Sequence, residues 1–404
     1  MSVIYLYDDA CARTFEPFAL TRPAGEMRAG ALLVRERWSH ALGADVAGQV
    51  TSQHLTGFEE PGAAPVIASG MLPKGSWLAN ARFAPALESL GAPDEVIAGD
   101  SLGAVRLTSD LDVASLLDGS ANLGAFAYRP GSGHDVVSAH GWWMREVWDY
   151  LGHLVPMLDH DLPILGASMG SALPAGAIRV GTHAVFVEDG ARVEEAVCFD
   201  VSAGPVLIRA GAHVQAFTRL VGPLYIGEHS VVTSDRIAAS SIGDVCKVHG
   251  ELSNSILIGH ANKGHDGFIG HSMLGRWVNL GAGTITSNLK NTYGTVQLWT
   301  PDGIRETGLP FLGTLFGDHA KTGIGLRLTT GSVIGAGANV FGSMMPQKAV
   351  APFSWGEAGN FTTFRLEKFL EVAERVMARR HVVPTDASRK QLTSSFRARW
   401  TVPE

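Results

Sequence analysis

The chain has 404 residues, a formal charge of −7 and 48 glycines that do not fall into collagen triplets. That length is enough for two or three domains and a large core. The negative charge, with no basic stripe, argues against a general nucleic-acid binder, and no apolar run approaches the ~18 residues of a membrane span.

The chain opens directly into "VIYLYDD", without the basic, apolar and small-residue order of a leader segment. Cys11, Cys198 and Cys246 are odd in number and lack metal-ligand spacing. Both features lead to the expectation of a cytoplasmic protein with core thiols. "VIYLY" reads as a strand that ends in Asp8 and Asp9, and no Gly-x-Gly loop follows it. Arg22, Glu26, Arg28 and Arg35 come next, in a segment punctuated by proline and glycine that leads into a helix. Arginines there can bind a triphosphate bidentately or form surface ion pairs of the helix. Further on, Asp100 in "IAGDSLG" is either a magnesium ligand beside substrate phosphates or an acidic loop residue. The segment "VWDYLGHLVPMLDHDL" reads as a helical link.

The middle of the chain keeps a period of six. Ile208, Val214, Leu220, Ile226 and Val232 are each six apart, and the register resumes at Ile242 and Val248, at Leu274 and Leu280, and at Leu328, Ile334 and Val340. Several of these positions precede a glycine, as in "IGEHSV" and "IGAGAN". One inward aliphatic per six residues means short strands with a turn after each, three to a coil of about 18 residues. The expectation is a left-handed parallel β-helix with capped ends. Within it, "TVQLWTPDGIRETGL" interrupts the repeat between residues 287 and 321 and reads as a protruding hairpin.

"KGHDGFIGHSMLGRWVNLGAGTITSNLKN" carries the residues suited to chemistry. His265 is a general-base candidate, because an imidazole titrates near neutral pH. Asn279 and Asn288 supply amides for a sugar hydroxyl or an oxyanion, and Lys263 and Lys290 can neutralise a phosphate. His260, His265 and His271 also raise the alternative of a zinc site. Beyond the β-helix, Leu366, Phe369, Leu370, Ala373, Val376 and Met377 fall at helical spacing. The basic tail, with Arg379, Arg380, Arg389, Lys390, Arg397 and Arg399, reads as a solvated segment or as a holder of an anionic ligand such as a CoA phosphate.

The stretch from Lys263 to Gly294, and above all its "N-x-GAGT" block and the upstream histidine, resembles the active-site coils of the bacterial bifunctional N-acetylglucosamine-1-phosphate uridyltransferase / glucosamine-1-phosphate acetyltransferase family. "TRPAGEMRAGALLVRERW", "GDHAKTGIG" and "APFSWG" resemble phrases of a variant branch with a shortened nucleotidyltransferase-like N-terminal region. The resemblance implies an α/β domain of reduced nucleotide-sugar-transferase type over residues 1–165, a β-helix acyltransferase domain over 166–358, and a C-terminal helix and basic tail over 359–404. It implies acetyl transfer from acetyl-CoA to an amino-sugar 1-phosphate, then nucleotidyl transfer from UTP or dTTP with Mg2+, in a homotrimer with sites between subunits. His265 would be the base, and Asn279 and Asn288 would bind sugar and acyl groups. Phe268 stands where the family has a tyrosine, and Ser253 and Asp235 stand where it has basic residues. Phosphate would then be met by Lys263, Arg276 or Lys290, with Arg236 adjacent. A regulatory sugar-nucleotide binder and a zinc hydratase of the hexapeptide type remain the alternatives.

Overall fold

The computed structural model describes residues 2–127, 135–170 and 173–401. They divide into two compact units: one runs to Asp149 and also contains Pro384–Ala398, and the other runs from Tyr150 to Val383 and resumes at Arg399.

In the first unit, β1 (Ile4–Tyr7) is an interior strand paired on both sides, apolar on both faces with Ile4, Leu6 and Tyr7 buried. The chain continues through α1 (Val34–Leu42) to β2 (Val46–Val50), then β3 (Trp77–Asn80), β4 (Glu95–Ala98), β5 (Ser101–Arg106) and β6 (Val136–Ser138). The sheet order is β6–β4–β5–β3–β1–β2, and only β5 runs antiparallel to its neighbours. Trp38 of α1 is fully buried, meets Phe83 edge-on and donates from its indole N–H to the Asn80 carbonyl. β2 and β3 flank β1 on opposite sides, so the chain reverses direction across the sheet at the β1/β3 boundary. In open α/β sheets that boundary is where a crevice opens at the carboxyl ends of the strands.

The second unit begins with α2 (Leu154–Gly166) and continues as a left-handed parallel β-helix. First-face strands run in register from Ile178–Gly181 to Ile269–Gly270. The second face holds nine strands, from Val185–Val187 to Ala349–Val350. The third runs from Arg192–Val193 to Asn262–Lys263 and continues by single bridges from Asn262 to Asn279 and from Asn279 to Lys321. The aliphatics at the six-residue spacing all lie in one buried column, each worth about 1.5–3 kcal/mol relative to exposure. Coil corners take left-handed backbone even at non-glycine residues such as His260 (φ 53°), His271 (φ 47°) and Trp277 (φ 64°).

The interruption is a hairpin, Gln297–Thr300 against Gly303–Glu306, and Trp299 stacks on Trp400 with centroids 4.1 Å apart. α3 (Leu366–Ala378) buries Phe369, Ala373 and Met377, with Phe369 set against Phe353, Phe364 and His319. The expected basic tail is instead largely a second helix, α4 (Asp386–Ala398), which belongs to the first unit. Its buried face is mostly polar: Ser388, Gln391 and Ser395 with Leu392. Among the described residues no helix is long and apolar enough to cross a membrane.

Candidate active sites

The loop between Lys263 and Ile269 joins the third face to the first and presents His265 to solvent. Gly267 takes φ +118°, and a Cβ there would fall 2.3 Å from the Thr284 carbonyl oxygen, so only glycine fits that turn. Lys263 pairs in register with inward-facing Val248 and is itself 2 % exposed. Its Nζ donates to the carbonyls of His249 (2.5 Å) and His265 (2.7 Å). Burial pushes this ammonium down to about 8, against the opposing pull of Asp266 and Asp235. Lys263 therefore anchors the His265 loop from beneath.

Asn288 and Phe268 converge over Gly270: a Cβ there would lie 2.4 Å from Phe268 Cζ and 2.8 Å from Asn288 Nδ2. Asn288 Nδ2 donates to His271 Nδ1 at 2.9 Å, and the His271 ring stacks on Phe311. Burial lowers the His271 pKa, favouring the neutral imidazole that accepts this bond. On the third face, Asn262 Nδ2 donates to Asn279 Oδ1 at 2.6 Å. These groups line a continuous stretch of coil, but not all the expected residues join them. Arg276 is buried at the corner between the second and third faces, its backbone N–H donating to Asp318 Oδ1. Arg236 is exposed, 3.5 Å from Glu251. Lys290 donates to the Thr295 carbonyl in the insertion. His260 packs on Trp277, so His260, His265 and His271 sit in three separate settings. Among the described residues no group of three or more His, Cys, Asp or Glu could hold a metal ion.

In the first unit a cleft of about 860 Å³ opens at the carboxyl ends of β1 and β3, lined among others by Asp9, Asn80, Arg82, Asp100 and Arg145. Asp9 accepts from Arg82 Nη2 (2.6 Å), Asn80 Nδ2 (3.0 Å) and the Ala12 backbone N–H (3.0 Å). Burial alone would raise its pKa, but Arg82 and these donors hold it below the usual range. Asp100 and Arg145 are the exposed carboxylate and cation of this cleft. Neither Arg82 nor Arg145 stands out in the sequence, because each approaches the cleft from a strand end distant in the chain.

The arginines expected to meet a triphosphate have partners inside the protein, and none of them lines this cleft. Arg22 is 1 % exposed, donates from Nη2 to Glu60 Oε1 at 2.8 Å and from Nη1 to the Glu26 carbonyl at 3.2 Å. Glu26, equally buried, accepts from Arg35 Nε and Gln49 Nε2. Arg28 Nη1 donates to the Ala31 carbonyl.

Asp8 is buried against Thr51 Oγ1 (2.5 Å) and the Ala24 N–H, and desolvation pushes its carboxyl up to about 6 despite those donors. A carboxyl raised in the folded state binds a proton there that the unfolded chain has released above about 4. Asp8 therefore withdraws stability, by about 3 kcal/mol in all, as pH rises from 4 to 6. Thermal melts should show Asp8→Asn gaining on the wild type between pH 4 and 7, and a difference independent of pH would contradict this assignment.

The chain joins a sugar-nucleotidyltransferase-like α/β domain to a left-handed β-helix. Residues 4–168 match the family model described as sugar nucleotidyl transferase. The chain is 28% identical over 131 residues to the bifunctional protein GlmU of Methanococcus vannielii, covering 32% of this chain and 30% of that protein. It is 28% identical over 162 residues to the bifunctional sugar-1-phosphate nucleotidylyltransferase/acetyltransferase of Sulfurisphaera tokodaii, covering 38% and 37%. It thus spans about a third of the length of these curated relatives. Among solved structures, a point mutant of AntD, an N-acyltransferase from Bacillus cereus crystallised with dTDP-4-amino-4,6-dideoxyglucose and coenzyme A, matches at 14% identity with a TM-score of 0.21, covering 50% of this chain and 92% of that one.

Proposed function

We propose that the protein is a two-site transferase that activates an amino sugar. At the β-helix, acetyl-CoA acylates the 2-amino group of glucosamine 1-phosphate or a related amino-sugar phosphate. At the first unit, the acylated sugar 1-phosphate takes a nucleotidyl group from UTP or dTTP, releasing pyrophosphate. The observation that carries the reading is the exposed His265 on a loop held from beneath by Lys263, close in sequence and on neighbouring coils to Asn279 and Asn288.

In the acyl step His265 takes a proton from the amine, whose lone pair attacks the thioester carbonyl. The C–N bond forms, side-chain amides of Asn279 and Asn288 donate to the developing oxyanion or to sugar hydroxyls, and collapse breaks the C–S bond. The leaving thiolate recovers the proton from the imidazolium, so no covalent enzyme intermediate and none of the three cysteines is needed. Phe268 offers a ring edge but no hydroxyl to the sugar.

In the first unit Arg145, exposed in the cleft, is placed to meet phosphate oxygens, and Arg82 is already fixed by Asp9. Asp100 would hold Mg2+ together with substrate phosphates, and the ion would supply charge neutralisation there. We place the β-helix sites in grooves between subunits of a homotrimer, where the exposed Phe217 (82%) and Ile324 (79%) would offer apolar side chains to a neighbouring subunit.

The test supplies glucosamine 1-phosphate, acetyl-CoA, UTP and magnesium, and follows free thiol and pyrophosphate separately. Both products are expected. Thiol without pyrophosphate would leave the β-helix activity alone, and neither product would overturn this substrate pair.

A further inference from the structure

Third-face strand register stacks Lys247, Asn262, Asn279 and Lys321 on successive coils, three steps of about 4.8 Å each. With Arg379 and Arg380, at the end of α3, they line a cleft of about 240 Å³. Trp277, held between His260 and His319, closes one side.

The polar lining is one-sided. Four cations and two amides face one small volume, and none of its lining residues is acidic. The Asn262 to Asn279 bond fixes how that pair of amides is oriented, and it uses the Asn279 oxygen. The Asn279 N–H groups are left to donate elsewhere. Lys321 Nζ spends one donor on the His319 carbonyl, and desolvation pushes it down to about 8. A desolvated ammonium in a lining without a carboxylate lacks a counter-charge, and a bound anion supplies one. The stack is about 14 Å long, and its two lysines together with two arginines supply more charged donors than one phosphate group uses, which suits two linked phosphates. Arginine forks suit phosphate oxygens bidentately.

We propose that this cleft binds the diphosphate group of a small molecule, with Arg379 and Arg380 clamping phosphate oxygens from α3 and Lys247 and Lys321 meeting them from the β-helix. The proposal does not depend on His265 being a base. The same chemistry is carried by an acyl-CoA and by a nucleoside-diphosphate sugar.

The test titrates inorganic pyrophosphate calorimetrically into the full-length protein. Wild type should bind saturably, and the double variant Arg379→Ala/Arg380→Ala should bind at least ten-fold more weakly, since each charge-assisted contact is worth about 1.5–3 kcal/mol. Arg375→Ala, which removes a cation of α3 outside this cleft, should bind as wild type does. Equal weakening in Arg375→Ala, unchanged binding in the double variant, or no saturable binding by wild type would overturn the proposal. Competition then separates the sources. Displacement by CoA assigns the acyl donor, displacement by UDP-N-acetylglucosamine assigns a nucleotide sugar, and displacement by neither overturns a nucleotide-bearing ligand. Pyrophosphate binding that persists in His265→Ala keeps this site's test separate from that of acyl transfer.

Discussion

His265→Ala is expected to lower acyl transfer by about 10²–10⁴, the usual contribution of a positioned general base. The loss should fall on thiol release alone. Lys263 holds this loop through the backbone carbonyl of residue 265 and that of His249, so removing the imidazole leaves the anchor in place. The variant should melt at the wild-type temperature. Pyrophosphate release should also survive when acylated sugar 1-phosphate is supplied, because the cleft with Asp100 and Arg145 belongs to the other unit. A loss smaller than ten-fold would remove His265 from the role of base. A matching loss of pyrophosphate release would mean that one site performs both steps, or that the variant is globally damaged, and the melt separates these.

How much of this was legible in the sequence depends on how local each signal is. The β-helix was readable because its inward aliphatics recur at a fixed short spacing, and the hairpin because a Pro-Asp-Gly turn sits between two strand-like runs. Lys263, which the sequence offers as a phosphate ligand, lies buried beneath the His265 loop. It stands fifteen residues after Val248, its partner in register, and that irregular coil breaks the count that would have marked it as inward. α4 reads as tail because its buried face is built mostly from the polar Ser388, Gln391 and Ser395, with Leu392 its one buried large aliphatic. The first-unit cleft was only partly visible: Asp100 was named, but Asp9, Asn80, Arg82 and Arg145 converge from strand ends that only the sheet order brings together.

Arg22 separates a ligand contact from an internal ion pair, two roles that the sequence left open. Its side chain is 1 % exposed and that of Glu60 is 8 % exposed, and the two form a paired contact at 2.8 and 3.3 Å. Arg22→Ala would take both guanidinium contacts from the Glu60 carboxylate, and deprive the Glu26 carbonyl of a donor, in a nearly dry setting. Breaking such a pair from one side costs about 3–5 kcal/mol. Denaturant unfolding of the variant should show this loss, with the UTP KM of the remaining folded protein unchanged. Removing both partners with apolar residues, as in Arg22→Met/Glu60→Leu, should return much of the loss, because no charge is left buried alone. A nucleotide contact predicts the reverse: stability close to wild type, a raised KM for UTP, and no recovery in the double variant. Observing that pattern would place the arginine segment in the nucleotide site after all, and the β1/β3 cleft would then need a different ligand.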